Sequence, residues 1–150
     1  MTEEKSPPTG PVCLLPKFSP EEVHKNIMRC FRLRNRVDLK LLGWIKILLE
    51  GNYSKDLSAD TPVQYVMDNL KYGQTEAYNV LKVAASLSKL PRTSAEFEEG
   101  GISWSQFKPI ADIAKPSTEE RWISFAKTHT VRVLEAEVKD ARPALPGKPG

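Results

Sequence analysis

The sequence predicts an all-α fold: a multi-helix domain with a helix-turn-helix-like pair and disordered tails at both ends. Three observations lead there. Apolar residues recur at helical spacing almost everywhere between Ser19 and Ala141, and no alternating run is flanked by hairpin turns. Helix-start signatures, a Ser or Thr followed three residues later by Glu, punctuate that stretch. Prolines cluster outside the periodic segments, at Pro7, Pro8, Pro11, Pro16 and Pro20 in front and at Pro143, Pro146 and Pro149 behind. The expected partition is a leader over 1–18, one helical domain over 19–142 and a Pro/Gly-rich tail or linker over 143–150.

The elements follow in order. Ser19-Pro20-Glu21-Glu22 supplies an N-cap hydroxyl, a proline at the first helical position and a Glu at the third, a capping box. Val23, Ile27, Phe31, Val37, Leu41, Trp44, Ile45 and Leu48 carry that helix inward-facing to Gly51-Asn52, with a break expected among the polar residues Arg32 to Arg36. Thr61-Pro62 opens a second helix with Val63, Val66, Met67 and Leu70 on one face. Lys71 to Gln74 turn the chain, and Thr75 is the expected cap of a third helix, with Ala77, Val80, Leu81, Ala84 and Leu87 inward, ending before Pro91. Two helices joined by a short Gly-containing turn form the helix-turn-helix candidate.

Thr93-Ser94-Ala95-Glu96 reads as a second capping box, for a brief helix stopped by Gly100-Gly101. Ser103 to Gln106 open a fifth helix, and Pro109, six residues in, is expected to kink it. Ser117 to Glu120 read as a third capping box, for a helix with Trp122 and Ala126 inward. The seventh helix follows Thr130, with Val131, Leu134, Val138 and Ala141 on one stripe.

Composition bounds the function. With 150 residues, 40% hydrophobic and 27% charged, the chain is an ordinary globular one, and a core can form without disulfides or metal. Cys13 and Cys30 lack zinc-site spacing and are too few for a secreted scaffold, so both read as thiols in a reducing compartment. The front lacks the basic start and apolar run of a signal peptide, and no stretch approaches a bilayer-spanning length. A cytoplasmic protein with no membrane partner is expected.

A net charge of +3 does not by itself mark a nucleic-acid binder. Its distribution says more, because Lys25 to Lys46 hold seven cations against Asp38 alone. Arg29, Arg32, Arg34 and Arg36 are the candidate phosphate contacts, and the alternative is a solvated helix face. Steps of three, two and two residues spread these four around the axis, so about two are expected to meet any one surface. On the third helix Gln74, Thr75, Tyr78, Asn79 and Lys82 are the candidate groove-facing residues, against an ordinary core hairpin. That helix has no Arg, and Gly51 to Leu90 balance four lysines with four acids, which predicts weak phosphate attraction. Trp44, Trp104 and Trp122 read as core more than as stacking platforms. Glu96, Glu98 and Glu99 read as helix surface. No phosphate loop and no Ser-His-Asp order is visible.

The run Gly101-Ile-Ser-Trp-Ser-Gln-Phe-Lys-Pro-Ile-Ala-Asp-Ile-Ala114, then Pro116-Ser-Thr-Glu-Glu-Arg-Trp-Ile-Ser-Phe-Ala126, resembles the helical N-terminal region of the 13E12-repeat family of HNH endonuclease-like proteins. Val63-Gln-Tyr-Val66, Glu76 to Leu87 and Leu90-Pro91 fit the same family in the same order, so the resemblance covers about Val23 to Arg142. It implies a helical module of the kind that precedes an HNH nuclease. The pattern is also similar to the helical DNA-binding domain of partition ParB-like proteins, which implies double-stranded DNA as partner. An HNH site needs metal-binding histidines, and the chain has only His24 and His129, with no ligands at motif spacing. The expectation is therefore a non-catalytic front module with no cofactor, arising by truncation, frameshift or design. The alternative is an interaction module in which the long first helix pairs with its copy or with another protein.

Overall fold

A computed structural model describes residues 17–142. The leader and tail expected at 1–16 and 143–150, and Cys13 with them, lie outside the described residues. Those residues form seven α-helices and no strand: α1 (Pro20–Glu50), α2 (Pro62–Leu70), α3 (Gln74–Ser86), α4 (Pro91–Glu99), α5 (Trp104–Ile113), α6 (Glu119–Thr128) and α7 (Val131–Ala141). A short 3-10 turn, Leu87–Lys89, leads from α3 toward α4.

Four of the expected helix starts hold as hydrogen bonds, with Thr61 Oγ1 accepting from Gln64 N at 3.1 Å at the start of α2. Ser19 Oγ accepts from Glu22 N at 3.1 Å while Glu22 Oε1 accepts from Ser19 N at 3.3 Å. Ser103 and Gln106 repeat the exchange at the start of α5. Thr130 Oγ1 accepts from Val133 N at the start of α7. Each hydroxyl serves a first-turn N–H that has no partner inside its helix.

Three others differ. Gly73 is the N-cap of α3, so Thr75 sits inside its first turn, exposed. Helix α4 starts at Pro91, which puts Thr93 at its third position with its N–H and hydroxyl turned to a partner on α6. The N-cap of α6 is Thr118 rather than Ser117, and it caps no N–H of the helix; its hydroxyl accepts from Lys115 N instead.

The break expected at Arg32 to Arg36 is absent: α1 runs unbroken for 31 residues. Four of the five residues there point to solvent, so their polarity asks nothing of the backbone, and the fifth, Asn35, is buried with a partner for its amide. Pro109 lies within α5, which continues to Ile113.

The core gathers Val66 from α2, Ala77, Val80, Val83 and Ala84 from α3, Phe107 and Ile110 from α5, and Leu134 and Val138 from α7. Phe97, Trp104 and Phe107 form an aromatic cluster beneath α1, with ring centroids 5.3 to 6.3 Å apart and Trp104 edge-on to both phenylalanines. Helix α1 meets this core through Leu42 and Ile45, with Leu39, Leu41 and Leu49 packed against it. Val23, Ile27, Val37 and Trp44, expected inward, are exposed, and Ala141 is exposed at the end of α7. Of the tryptophans, Trp122 is buried, Trp104 half-buried and Trp44 in solvent.

Candidate nucleic-acid interface

Residues on a helix advance about 100° each, so partners three and four apart share a face. On α1, Lys25, Arg29, Arg32, Arg36 and Lys40 follow steps of four, three, four and four, and all five are exposed. They form one cationic stripe about 22 Å long. Three of the four candidate arginines therefore align, one more than expected, because Arg32 and Arg36 are four apart. Arg36 Nε lies 3.6 Å from Glu98 Oε2. Both side chains reach solvent, and such a pair is weak and screened by salt.

Arg34 is the exception. It lies on another side of the helix beside Asp38, in a cleft with Leu41, Tyr72, Glu76 and Trp104. Burial raises the Asp38 carboxyl above its ordinary range, and the neighbouring Arg34 guanidinium partly offsets this.

On α3, the structure brings Gln74, Thr75, Tyr78 and Lys82 to one exposed face, with Asn79 half-buried at its edge. Lys82 Nζ is 3.3 Å from Asp112 Oδ1 on α5, and Arg142 also pairs with that carboxylate. Beside this face a cleft of about 470 Å³ opens between α3, α5 and α7, with Asn79, Lys82, Lys108, Asp112, Lys139 and Arg142 among its walls. Lys108, Lys139 and Arg142 went unseen in the sequence because they lie on different helices, with no spacing that links them to α3. They supply part of the positive charge that α3 lacks.

The two candidate sets are not brought together. Helix α3 turns Glu76 and Val80 toward α1 and shows Tyr78 and Lys82 on its other side. Helix α1 turns Asp38 and Leu42 toward α3 and shows its stripe on its other side. The stripe and the α3 face thus lie on opposite sides of the α1/α3 pair.

The remaining polar groups are structural in their contacts. Glu119, only 2% exposed, accepts from Thr93 N at 2.7 Å and from Thr93 Oγ1 at 2.9 Å, a carboxylate at the start of α4 where the helix dipole favours it. His129 stacks on Phe125 at 3.8 Å, and its Nδ1 lies 2.9 Å from the Phe125 carbonyl oxygen. Glu96 pairs with Lys127 at 2.7 Å. Cys30 is an exposed free thiol. Among the described residues no three His, Cys, Asp or Glu side chains are grouped to hold a metal ion, and no helix is long and apolar enough to cross a membrane. No protein-family model matches the chain, and neither a curated protein nor a solved structure is similar to it.

Proposed function

We propose that this protein is a non-catalytic helical module that binds double-stranded DNA through phosphate contacts. The observation that carries the reading is the stripe of Lys25, Arg29, Arg32, Arg36 and Lys40 on one solvent-facing side of α1. Guanidinium and ammonium groups repeated along one line suit a phosphate backbone, and such contacts position a protein without reading sequence. The resemblance of Gly101 to Arg142 to the front region of HNH endonuclease-like proteins points the same way, toward a targeting role beside a nuclease rather than nuclease chemistry.

A second contact surface is favoured by the cleft at α3. Lys108 and Lys139 flank the helix whose exposed first turns carry Gln74, Thr75 and Tyr78, so a groove-reading helix there would have cations beside it for the phosphates. Because the two surfaces face apart, one straight duplex cannot engage both.

Fluorescence anisotropy of a labelled duplex, titrated at several salt concentrations, tests the reading. Affinity should fall linearly with salt on double-logarithmic axes, with a slope of about 0.9 for each phosphate neutralised. Absence of binding even at low salt would remove DNA as the partner.

A further inference from the structure

Helix α1 has a second row of side chains that the domain covers only in part, at Arg34 and Leu41. Val23, Ile27, Cys30, Arg34, Val37, Leu41 and Trp44 follow alternating steps of four and three, the 3.5-residue period with which two helices share a seam. Trp44, Val37 and Ile27 are 69%, 62% and 59% exposed. The front half of the helix stands out from the domain, since no residue from Pro20 to Arg34 is buried. Beside the back half lies an apolar groove of about 440 Å³, with Leu41, Trp44, Leu48, Tyr53, Leu57 and Tyr65 among its walls and no charged residue.

The geometry points to a second copy of this chain as the occupant: α1 pairs antiparallel with its counterpart, and the projecting front half of each helix lies on the groove of the other. Ridge and groove belong to the same chain and lie along the same helix, so one two-fold axis satisfies both at once. An axis level with the middle of Arg34 to Val37 sets Ile27 against the partner's Trp44 and Cys30 against the partner's Leu41. It also sets Arg34 beside the partner's Asp38, whereas a parallel pair in register would stack Arg34 on its own copy. Seven large exposed apolar side chains, Val23, Ile27, Val37 and Trp44 on the row and Ile47, Tyr53 and Leu57 at the groove, offer on the order of 700 Å² per copy, close to the roughly 800 Å² one partner gives to a standard stable interface.

The domains leave room for this arrangement. Each packs on α1 mainly from Asn35 onward, so in an antiparallel pair the two domains occupy opposite ends. A two-fold axis that exchanges antiparallel helices runs perpendicular to the plane holding them, which puts both domains on one side. Both cationic stripes then lie together on the other side, uncovered. The pairing stands whether or not those stripes bind DNA.

Sedimentation of the full chain over a hundredfold range of concentration should show a monomer-dimer equilibrium. Trp44→Glu, at an exposed site, should leave the circular dichroism and melting temperature of the monomer intact and raise the dissociation constant at least about 30-fold. A chain that stays monomeric throughout, or a dimer unaffected by both Trp44→Glu and Val37→Glu, would overturn the proposal. Direction is read by oxidation in a Cys13→Ser background. Leu41→Cys should form an intermolecular disulfide with Cys30, while Cys30 alone should not link to its own copy, which lies about 16 Å away along the antiparallel pair. A Cys30 self-link in the dimer would establish the parallel register instead.

Discussion

The Asn35 side chain on α1 donates to the Phe97 carbonyl at the end of α4, 3.0 Å away and 62 residues along the chain. It adds a second hydrogen bond to a last-turn carbonyl that already accepts from Gly100 N at 3.1 Å, and in that buried place it also gives the Asn35 amide its partner. Near it, Phe31 lies over Gly100, the left-handed residue that ends α4, where a Cβ would come within 2.6 Å of the ring. These two contacts fasten the middle of α1 to the α4 end.

Asn35→Ala is therefore expected to remove the side-chain hydrogen bond while Gly100 N keeps the Phe97 carbonyl partnered, at a cost of about 0.5 to 1.5 kcal/mol. Asn35→Asp should cost more, because an ionised carboxylate has no hydrogen to give and would face the Phe97 oxygen. Chemical denaturation of the three proteins checks the order. Equal stabilities would mean that this hydrogen bond does not hold the two helices.

Glu119 offers a parallel test at the other end of α4. Its carboxylate receives the Thr93 N–H and hydroxyl together, so Glu119→Ala removes the acceptor of both and opens a gap in the packing. A loss of about 2 to 4 kcal/mol is expected. Thr93→Val removes only the hydroxyl donor and should cost less. If Glu119→Ala melted with the parent protein, the buried carboxylate would have no role in seating α4 on α6.

Asp38 gives a pH signature. Burial raises its folded-state pKa above the ordinary value of 3.8, with Arg34 working against that rise. The folded state then holds the proton more tightly than the unfolded chain, so this group's contribution to stability falls as pH rises from the unfolded pKa through the raised folded one. Asp38→Asn should accordingly raise the melting temperature near pH 7. The gain should shrink near pH 3, where the parent carboxyl is protonated in both states. A gain that grew on acidification would contradict the sign of the shift.

Much of the fold was legible because local signals and packing agree in it. The Ser19 and Ser103 boxes, the inward residues of α3 and the helical order were written in spacing and caps. The failures are tertiary. Thr93 and Glu119 carry cap-like residue types, but each finds its partner on another helix, and no local pattern records that choice. Helix α1 was misread for a different reason. It has two apolar rows, one with the period of a helix packed on its own domain and one with the period of a shared seam, and a single list of apolar residues merges them. Of the candidate site, the α1 arginines were visible in the sequence, but the cleft beside α3 draws Lys108, Lys139 and Arg142 from two later helices and needed the fold to assemble it.

The arginines separate the two candidate surfaces. Arg29, Arg32 and Arg36 share the stripe, while Arg34 faces Asp38. If the stripe meets phosphates, changing the three aligned residues to Gln should flatten the salt slope by roughly 2.7 units and weaken every duplex alike. Arg34→Gln alone should change the slope by much less than the roughly 0.9 of a phosphate contact. Asn79→Ala and Lys82→Ala, on the opposite side of the helix pair, should leave the slope near the parent value and alter preference among sequences only if α3 enters a groove. Anisotropy titrations on two unrelated duplexes, with helicity checked for each variant, read all of these effects. An unchanged slope in the triple variant, alongside a flattened one in Lys82→Ala with Lys108→Ala, would move the interface from α1 to the cleft beside α3.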